Sequence, residues 1–193
     1  MSNNGEVKSV KKFKISDMVY IATGAVLIAI CSWINIPTAV PFTLQTFAVF
    51  FILMLLGGER GTVSILIYIL LGGVGVPVFA GFKGGIGVLL GNTGGYIWGF
   101  IIIGLIYILF TRVFRKKNIF IKIAALVIGL AICYAFGTAW YMFIYIRDSG
   151  AIGLLTVLGW CVFPFIIPDL IKMALAVFIS KRIAPVLKLE DGV

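Results

Sequence analysis

The sequence predicts an all-α integral membrane protein with six transmembrane helices and both termini in the cytoplasm. Its 193 residues are 62% hydrophobic and 12% charged, and the mean hydropathy is +1.17. Soluble domains carry about 25% charged residues, so this composition excludes a soluble protein. The apolar runs are continuous and lack the period-two alternation of a membrane β-barrel. Helices are therefore the expected spanning elements.

Basic residues lie mostly on one side of the predicted topology. The chain has 16 lysines and arginines against 7 acidic residues, which gives a net charge of +9. Thirteen of the 16 fall in segments predicted to be cytoplasmic, namely Lys8, Lys11, Lys12, Lys14, Arg60, Arg112, Arg115, Lys116, Lys117, Lys122, Lys181, Arg182 and Lys188. The positive-inside rule accounts for this bias. We therefore expect contact with membrane lipid and no binding of nucleic acid.

The chain divides into three predicted segments. Residues 1–14 are polar and basic with no apolar period, which predicts a disordered cytoplasmic N-terminus. Residues 15–184 are predicted to form the membrane domain, and residues 185–193 a short cytoplasmic tail. The first apolar run is too long for a signal peptide and has no small-residue cleavage site, so it is expected to remain as a span.

The predicted spans cover residues 18–34, 43–56, 62–71, 96–110, 123–144 and 162–179. Ser16 can cap the first span, and Pro37 and Pro41 prevent its continuation through the first outer loop. Glycines bound a tight inner turn at residues 57–61, between spans 2 and 3. The apolar stretch 151–160 is too short to span and is predicted to lie at the membrane interface.

Residues 72–95 contain ten glycines in 24 positions. The segment is too apolar for a solvated linker and too rich in glycine for a stable helix. Irregular backbone at membrane depth is tolerated where protein buries it or where it lines a cavity. The segment is therefore predicted to be a structured lid on the outer side, and the alternative is a flexible glycine loop.

Asp169 and Lys172 lie near the middle of the last apolar run, Val162 to Ile179. Each such charge costs about 2.5–3.5 kcal/mol to insert at a helix centre. A spacing of three residues places both on one helix face, where a cyclic urea could donate N–H to Asp169 and accept from Lys172. Two alternatives are an ion pair that only holds helices together and a proton relay.

Two further polar clusters accompany this pair. Asn92 follows Gly91 in a glycine-rich turn where the backbone can approach a ligand, although the side chain could equally hold its own turn. Thr43, Gln45 and Thr46 enter span 2 near the outer surface and could face the same cavity. Helix capping is the alternative function of this second cluster.

Several classes of activity are excluded by the residues that are missing. The sequence has no histidine, and its three cysteines, Cys31, Cys133 and Cys161, have no metal-site spacing. No G-x-x-x-x-G-K-[ST] motif occurs, so the chain cannot bind ATP through a P-loop. We expect no bound cofactor and no enzyme activity.

Small and aromatic residues suggest contact surfaces. Ala25 and Ala29 lie four residues apart in span 1, which favours a close helix contact either within the protein or with a partner subunit. Phe79 and Tyr141 are predicted near the outer side, where they could line an apolar pocket or anchor the lipid interface.

Four motifs resemble those of the BioY family, the biotin-binding substrate components (S components) of energy-coupling-factor (ECF) transporters. They are the PFTLQT motif at residues 41–46, GVPVF at residues 75–79, G-x-T-G-G-Y-x-x-G-F at residues 91–100, and D-x-x-K at residues 169–172. They occur in the family's order across residues 18–182.

The resemblance implies a six-helix S-component fold in a bacterial cytoplasmic membrane. It implies that Asp169 and Lys172 hold the ureido ring of biotin with help from Asn92, and that Gln45, Thr43 and Gly91 are secondary contacts. Phe79 and Tyr141 would pack on the thiophane ring and valeryl chain.

The resemblance also implies partners. Ala25 and Ala29 would dock on a transmembrane coupling (T) subunit, with two ATPase subunits beneath it. The chain would capture biotin outside and release it into the cytoplasm. The alternative from another class is a proton-coupled secondary transporter or small channel that uses Asp169 as its carrier.

Overall fold

The computed structural model describes residues 14–38, 40–114 and 118–187. The predicted disordered N-terminus lies outside the described residues except for Lys14, and the predicted tail is described only at residues 185–187. The basic residues at positions 115–117 also lie outside the described residues.

The described residues are mostly helical. The elements in chain order are α1 (Ile15–Trp33), β1 (Asn35–Ile36), β2 (Phe42–Thr43), α2 (Gln45–Leu56), α3 (Gly58–Gly73), α4 (Ile86–Leu90), α5 (Gly94–Val113), α6 (Ile119–Ser149), α7 (Leu154–Cys161) and α8 (Phe163–Ile183). The two short strands pair in an antiparallel ribbon that closes the loop between α1 and α2.

Four helical stretches among the described residues are long and apolar enough to cross a membrane: Ile15–Trp33, Gly94–Val113, Ile119–Ser149 and Leu154–Ile183. Helix α2 is apolar but has 12 residues, which cover about 18 Å of a hydrocarbon core about 30 Å thick. The protein is therefore a multi-pass membrane protein with four candidate spans, and the count of six stays a prediction.

Helix α2 is the centre of the bundle. Ten of its residues are buried, on every face, as expected for a helix that is hydrophobic all round. Helices α8, α3, α1 and α5 all contact it. Helices α5 and α6 form a long neighbouring pair whose close approach depends on Gly99, where an added Cβ would lie 2.4 Å from Cys133 Sγ.

The inner turn between α2 and α3 is shorter than predicted. Gly57 alone reverses the chain, with a φ of 82° that favours glycine, and α3 begins at Gly58. Asp17 on α1 forms an ion pair with Arg60 on α3 at 3.0 Å, which fixes the adjacent helix ends.

The glycine-rich segment is structured. Its first glycines end α3, its last begin α5, and α4 lies between them. The backbone pairs Phe79 with Lys83 in an isolated bridge. Ser32 and Trp33 of α1 donate side-chain hydrogen bonds to the carbonyls of Val78 and Pro77. Contacts with α1 therefore hold the segment in place, while its action as a lid stays a prediction.

Ala25 and Ala29, which are predicted to dock on a partner subunit, pack against other residues of this chain. Their side chains are 2% and 6% exposed and belong to the main hydrophobic core. The adjacent Gly24 lies so close to α3 that a Cβ would be 2.6 Å from Ser64 Oγ. The small residues of α1 therefore take part in internal packing, and their docking on a partner stays a prediction. Exposed residues on this helix include Val26 and Ile30.

Candidate functional site

A cavity of about 410 Å³ lies between α2, α5, α6, α8 and the glycine-rich segment. Its volume is within the range of about 300–1,000 Å³ typical of small-molecule sites. The lining side chains are mostly apolar or aromatic, and the charged ones are Lys83, Asp169 and Lys172. A pocket of this kind favours a largely apolar ligand with a few polar groups.

Asp169 is the acidic residue among the described residues that line the cavity. It is 2% exposed and lies one residue after Pro168, within α8. Its Oδ1 accepts from Thr46 Oγ1 at 2.8 Å and from Lys172 Nζ at 2.8 Å. Its Oδ2 accepts from Tyr134 Oη at 2.6 Å. Because each carboxylate oxygen has two lone-pair sites, Oδ2 keeps capacity to accept from a ligand.

Lys172 directs its ammonium group toward the start of α2. Nζ donates to Thr43 O at 2.7 Å and to Asp169 Oδ1 at 2.8 Å, with a longer contact of 3.3 Å to Thr46 Oγ1. It also lies 4.2 Å from the centroid of the Phe42 ring. An ammonium has three donors, so a ligand carbonyl would have to replace the longest of these contacts.

The ion pair is therefore compensated by the protein. Among the described residues, no buried side-chain nitrogen or oxygen lacks a hydrogen-bond partner. The sequence required some compensation for two charges in an apolar run, and Thr43, Thr46 and Tyr134 supply it. A ligand that binds here therefore meets side chains whose hydrogen bonds are already made. It either adds a further hydrogen bond or replaces the weakest existing one.

A second polar network lies beside the pair. Thr43 Oγ1 donates to Gln45 Oε1 at 3.0 Å, and Gln45 Nε2 donates to the hydroxyl of Tyr68. Both Thr43 and Gln45 are buried and line the cavity. An amide nitrogen carries two hydrogens, so Gln45 has a second donor for a polar ligand group.

The remaining predicted site residues divide into two groups. Phe79 is 1% exposed and lines the cavity, where its ring meets Tyr68 edge-on at 5.5 Å, and Gly91 also lines it. Asn92 is exposed and is not among the lining residues, although its neighbours Gly91 and Thr93 are. Tyr141 is buried away from the cavity wall and stacks on Tyr145 at 5.9 Å. Neither Asn92 nor Tyr141 lines the cavity, and their contacts with a ligand stay predictions.

Sequence reasoning missed Tyr134 as a site residue. It lies in α6, far from both charges in the chain, and tyrosine is common in membrane helices. Its position could have been found from the requirement that a buried carboxylate be hydrogen-bonded on both oxygens, but the sequence alone does not show which hydroxyl is near. Phe42 was part of the motif at residues 41–46, yet its ring contact with the ammonium was not predicted.

The family model described as "BioY family" matches residues 5–189 of the chain. The chain is 41% identical over 160 residues to a protein of Thermotoga maritima named "Biotin transporter BioY", a match that covers 81% of this chain and 89% of that protein. It is 40% identical over 145 residues to a "Probable biotin transporter BioY" of Pyrococcus horikoshii, covering 75% and 80% of the two chains.

One solved structure is similar over nearly the whole molecule. It is described as the crystal structure at 2.1 Å of the S-component for biotin from an ECF-type ABC transporter. The TM-score is 0.75 at 28% identity, with 95% of this chain and 94% of that chain covered.

Proposed function

The chain belongs to the BioY family, and we propose that it is the substrate-binding component of an ECF-type ABC importer for biotin. It captures biotin at the outer face of the membrane and delivers it to the cytoplasm together with a transmembrane coupling subunit and ATPase subunits. The observation that carries the proposal is the Asp169–Lys172 pair in the wall of an otherwise apolar cavity.

The polar part of this cavity suits a ureido ring. Asp169 Oδ2 accepts an N–H of the ring, and Lys172 or Gln45 donates to its carbonyl. Phe79 and the surrounding apolar wall pack on the thiophane ring and the valeryl chain. Asn92 would contact the ring only after the turn at residues 91–93 moves inward.

The charged end of biotin requires a separate contact. Lys83 lies on the glycine-rich segment, is exposed, and lines the cavity. With Asp169 and Lys172 paired, the charge of Lys83 gives the described cavity wall a net positive potential. The valeryl carboxylate therefore lies toward Lys83, and its opposite charge favours capture from solution.

The same proposal includes the topology and the partners. Helices α2 and α3 complete six spans, and both termini lie in the cytoplasm, which follows from the basic residues of the inner segments. Transport energy comes from ATPase subunits, since this chain has no P-loop. The chain itself binds and carries biotin and catalyses no reaction.

A biotin titration of the purified protein tests the binding role, and uptake by proteoliposomes tests the transport role. We expect saturable biotin binding by this chain alone. Concentrative uptake is expected only when the coupling and ATPase subunits and ATP are present. Uptake driven by a proton gradient with this chain alone would contradict the proposal and favour the secondary transporter.

A further inference from the structure

We propose that Thr46 and Tyr134 are positioning residues that fix the orientation of the Asp169 carboxylate and thereby make the site selective for a ligand N–H. This inference rests on the proposed function, because it concerns how the same site recognises the ureido group.

The two residues hold one carboxylate oxygen each, from different helices. Thr46 on α2 donates to Oδ1 at 2.8 Å, and Tyr134 on α6 donates to Oδ2 at 2.6 Å. Asp169 itself is on α8. A carboxylate anchored on both oxygens cannot rotate about its terminal torsion without losing a charge-assisted hydrogen bond. Its orientation toward the cavity is therefore set by hydrogen bonds from two other helices.

The Thr46 and Tyr134 hydroxyl hydrogens are both already used in hydrogen bonds. A hydroxyl carries one donor and two lone pairs, and each donor is used on Asp169. Thr46 Oγ1 also lies 3.3 Å from Lys172 Nζ, as an acceptor. The Tyr134 oxygen and Asp169 Oδ2 therefore present acceptors, and no donor, to a ligand at this point of the wall.

This arrangement discriminates between ligand groups that donate a hydrogen bond and ligand groups that accept one. A ureido N–H is accepted there, whereas a ligand that carries an oxygen or an alkylated nitrogen at that position meets lone pairs or a clash. A ligand acceptor placed against these oxygens leaves buried polar groups without a partner. The cost in binding free energy is larger than the loss of one hydrogen bond, because neither group can bond to water instead. Selectivity therefore depends on how firmly the carboxylate is held.

Biotin and biotin methylated on a ureido nitrogen, at each nitrogen in turn, are the probes that test this inference. Binding is measured for the wild type, Tyr134→Phe and Thr46→Val. Tyr134→Phe should weaken biotin binding about 10-fold or more. It should also reduce the wild type's preference for biotin over the analogue methylated at the nitrogen that faces Asp169. Thr46→Val should also lower the ratio of the affinity for biotin to the affinity for that analogue. The test therefore remains valid if one of the two variants does not fold.

Tyr107→Phe is the matched control. Its hydroxyl is buried and donates to Met54 Sδ at 3.6 Å, and Tyr107 is not among the cavity-lining residues. It should leave both affinities and their ratio unchanged.

Two results would overturn the inference. One is an unchanged preference for biotin over the methylated analogues in both Tyr134→Phe and Thr46→Val, which would reduce the hydroxyls to a structural role. The other is a wild type that binds biotin and both methylated forms equally well. Failure of the wild type to bind biotin at all would instead contradict the proposed function.

Discussion

Asp169 and Lys172 place two opposite charges inside one membrane helix, at a separation of 2.8 Å. Attraction between the two offsets only part of the cost of removing them from water. The remainder depends on neutral partners, the hydroxyls of Thr46 and Tyr134 and the carbonyl of Thr43. The pair is therefore expected to affect folding as well as the proposed binding, and its variants must be measured for both properties.

Lys172→Met should destabilise the protein by about 3–5 kcal/mol, because it leaves the Asp169 carboxylate buried without its cation. The measurement is thermal unfolding in detergent without ligand. The double variant Asp169→Asn with Lys172→Met should recover most of the loss, since neither charge remains. Equal stability of Lys172→Met and the wild type would show that the pair contributes little to folding.

At this scale the sequence identified the charges but not their neighbours. Charged residues stand out in an apolar run, so Asp169 and Lys172 could be predicted as site residues. Tyr134 is separated from Asp169 by 35 positions, and only the tertiary fold brings its hydroxyl to the carboxylate. Asn92 is predicted at the ligand because of its motif, and its side chain is exposed and outside the cavity lining.

Among the elements, the glycine-rich segment begins in the last turn of α3 and supplies part of the cavity wall. Gly72, in the last turn of α3, lies against the ring of Phe79, and a Cβ at that position would lie 2.0 Å from Phe79 Cζ. The missing side chain therefore makes room for an aromatic residue of the cavity wall. This is a packing requirement, distinct from the conformational freedom of glycine.

Gly72→Ala should displace the Phe79 ring, lowering folding stability by about 1–3 kcal/mol through overpacking and weakening biotin binding. Calorimetric titration and thermal unfolding measure the two effects. Gly159→Ala is the control, because a Cβ there meets nothing within 4 Å. Unchanged biotin affinity in Gly72→Ala would mean that Phe79 does not pack on the ligand.

The tip of the same segment is attached to α1 by aromatic stacking. The Trp33 and Phe82 rings lie 5.1 Å apart at 24°, and Phe82 has a φ of 56°, a conformation that few side chains adopt. Phe82 directly precedes Lys83 of the cavity wall. The stack thus holds the tip of the segment against α1, and closure over a ligand stays a prediction.

Trp33→Ala and Phe82→Ala should each increase the dissociation rate of biotin, by up to about 10-fold if the ring pair contributes about 0.5–1.5 kcal/mol. Stopped-flow release of a fluorescent biotin conjugate measures this rate. The double variant should release no faster than the more affected single variant. Independent, multiplicative effects would show that the two rings do not act as a pair.

Helix positions could be predicted better than their ends. Long apolar runs identified α1, α5, α6 and α8 within a few residues. The start of α3 was wrong by four residues, because a single glycine makes a turn that was expected to need five. Helix α4 has five residues, too few to show a helical period, so it was hidden in the glycine-rich segment.

For the whole molecule, orientation in the membrane decides whether the cavity opens to the outer face, where the proposed function requires biotin to bind. The positive-inside rule predicts that the glycine-rich segment lies outside and that the C-terminal end of α5 lies inside. The buried Ala25 and Ala29 show why a docking surface was harder to predict. A stripe of small residues favours close helix contact, but the sequence does not distinguish a neighbour in the same chain from a partner.

Cysteine labelling tests the orientation, in a background without Cys31, Cys133 and Cys161. Val74→Cys, at a position 80% exposed, should react with a membrane-impermeant maleimide in intact cells. Arg112→Cys, at a side chain 68% exposed, should react only after the cells are permeabilised. The reverse pattern would invert the topology and place the cavity on the cytoplasmic side.

A calorimetric biotin titration of the wild type, Asp169→Asn and Asp148→Asn tests directly whether this cavity is the biotin site. Asp148 is the matched control, since its carboxylate is half exposed and pairs with Arg147. We expect saturable binding by the wild type and Asp148→Asn, with affinity reduced about 10- to 100-fold in a folded Asp169→Asn protein. Equal biotin affinity in all three proteins would contradict the assignment of this cavity as the biotin site.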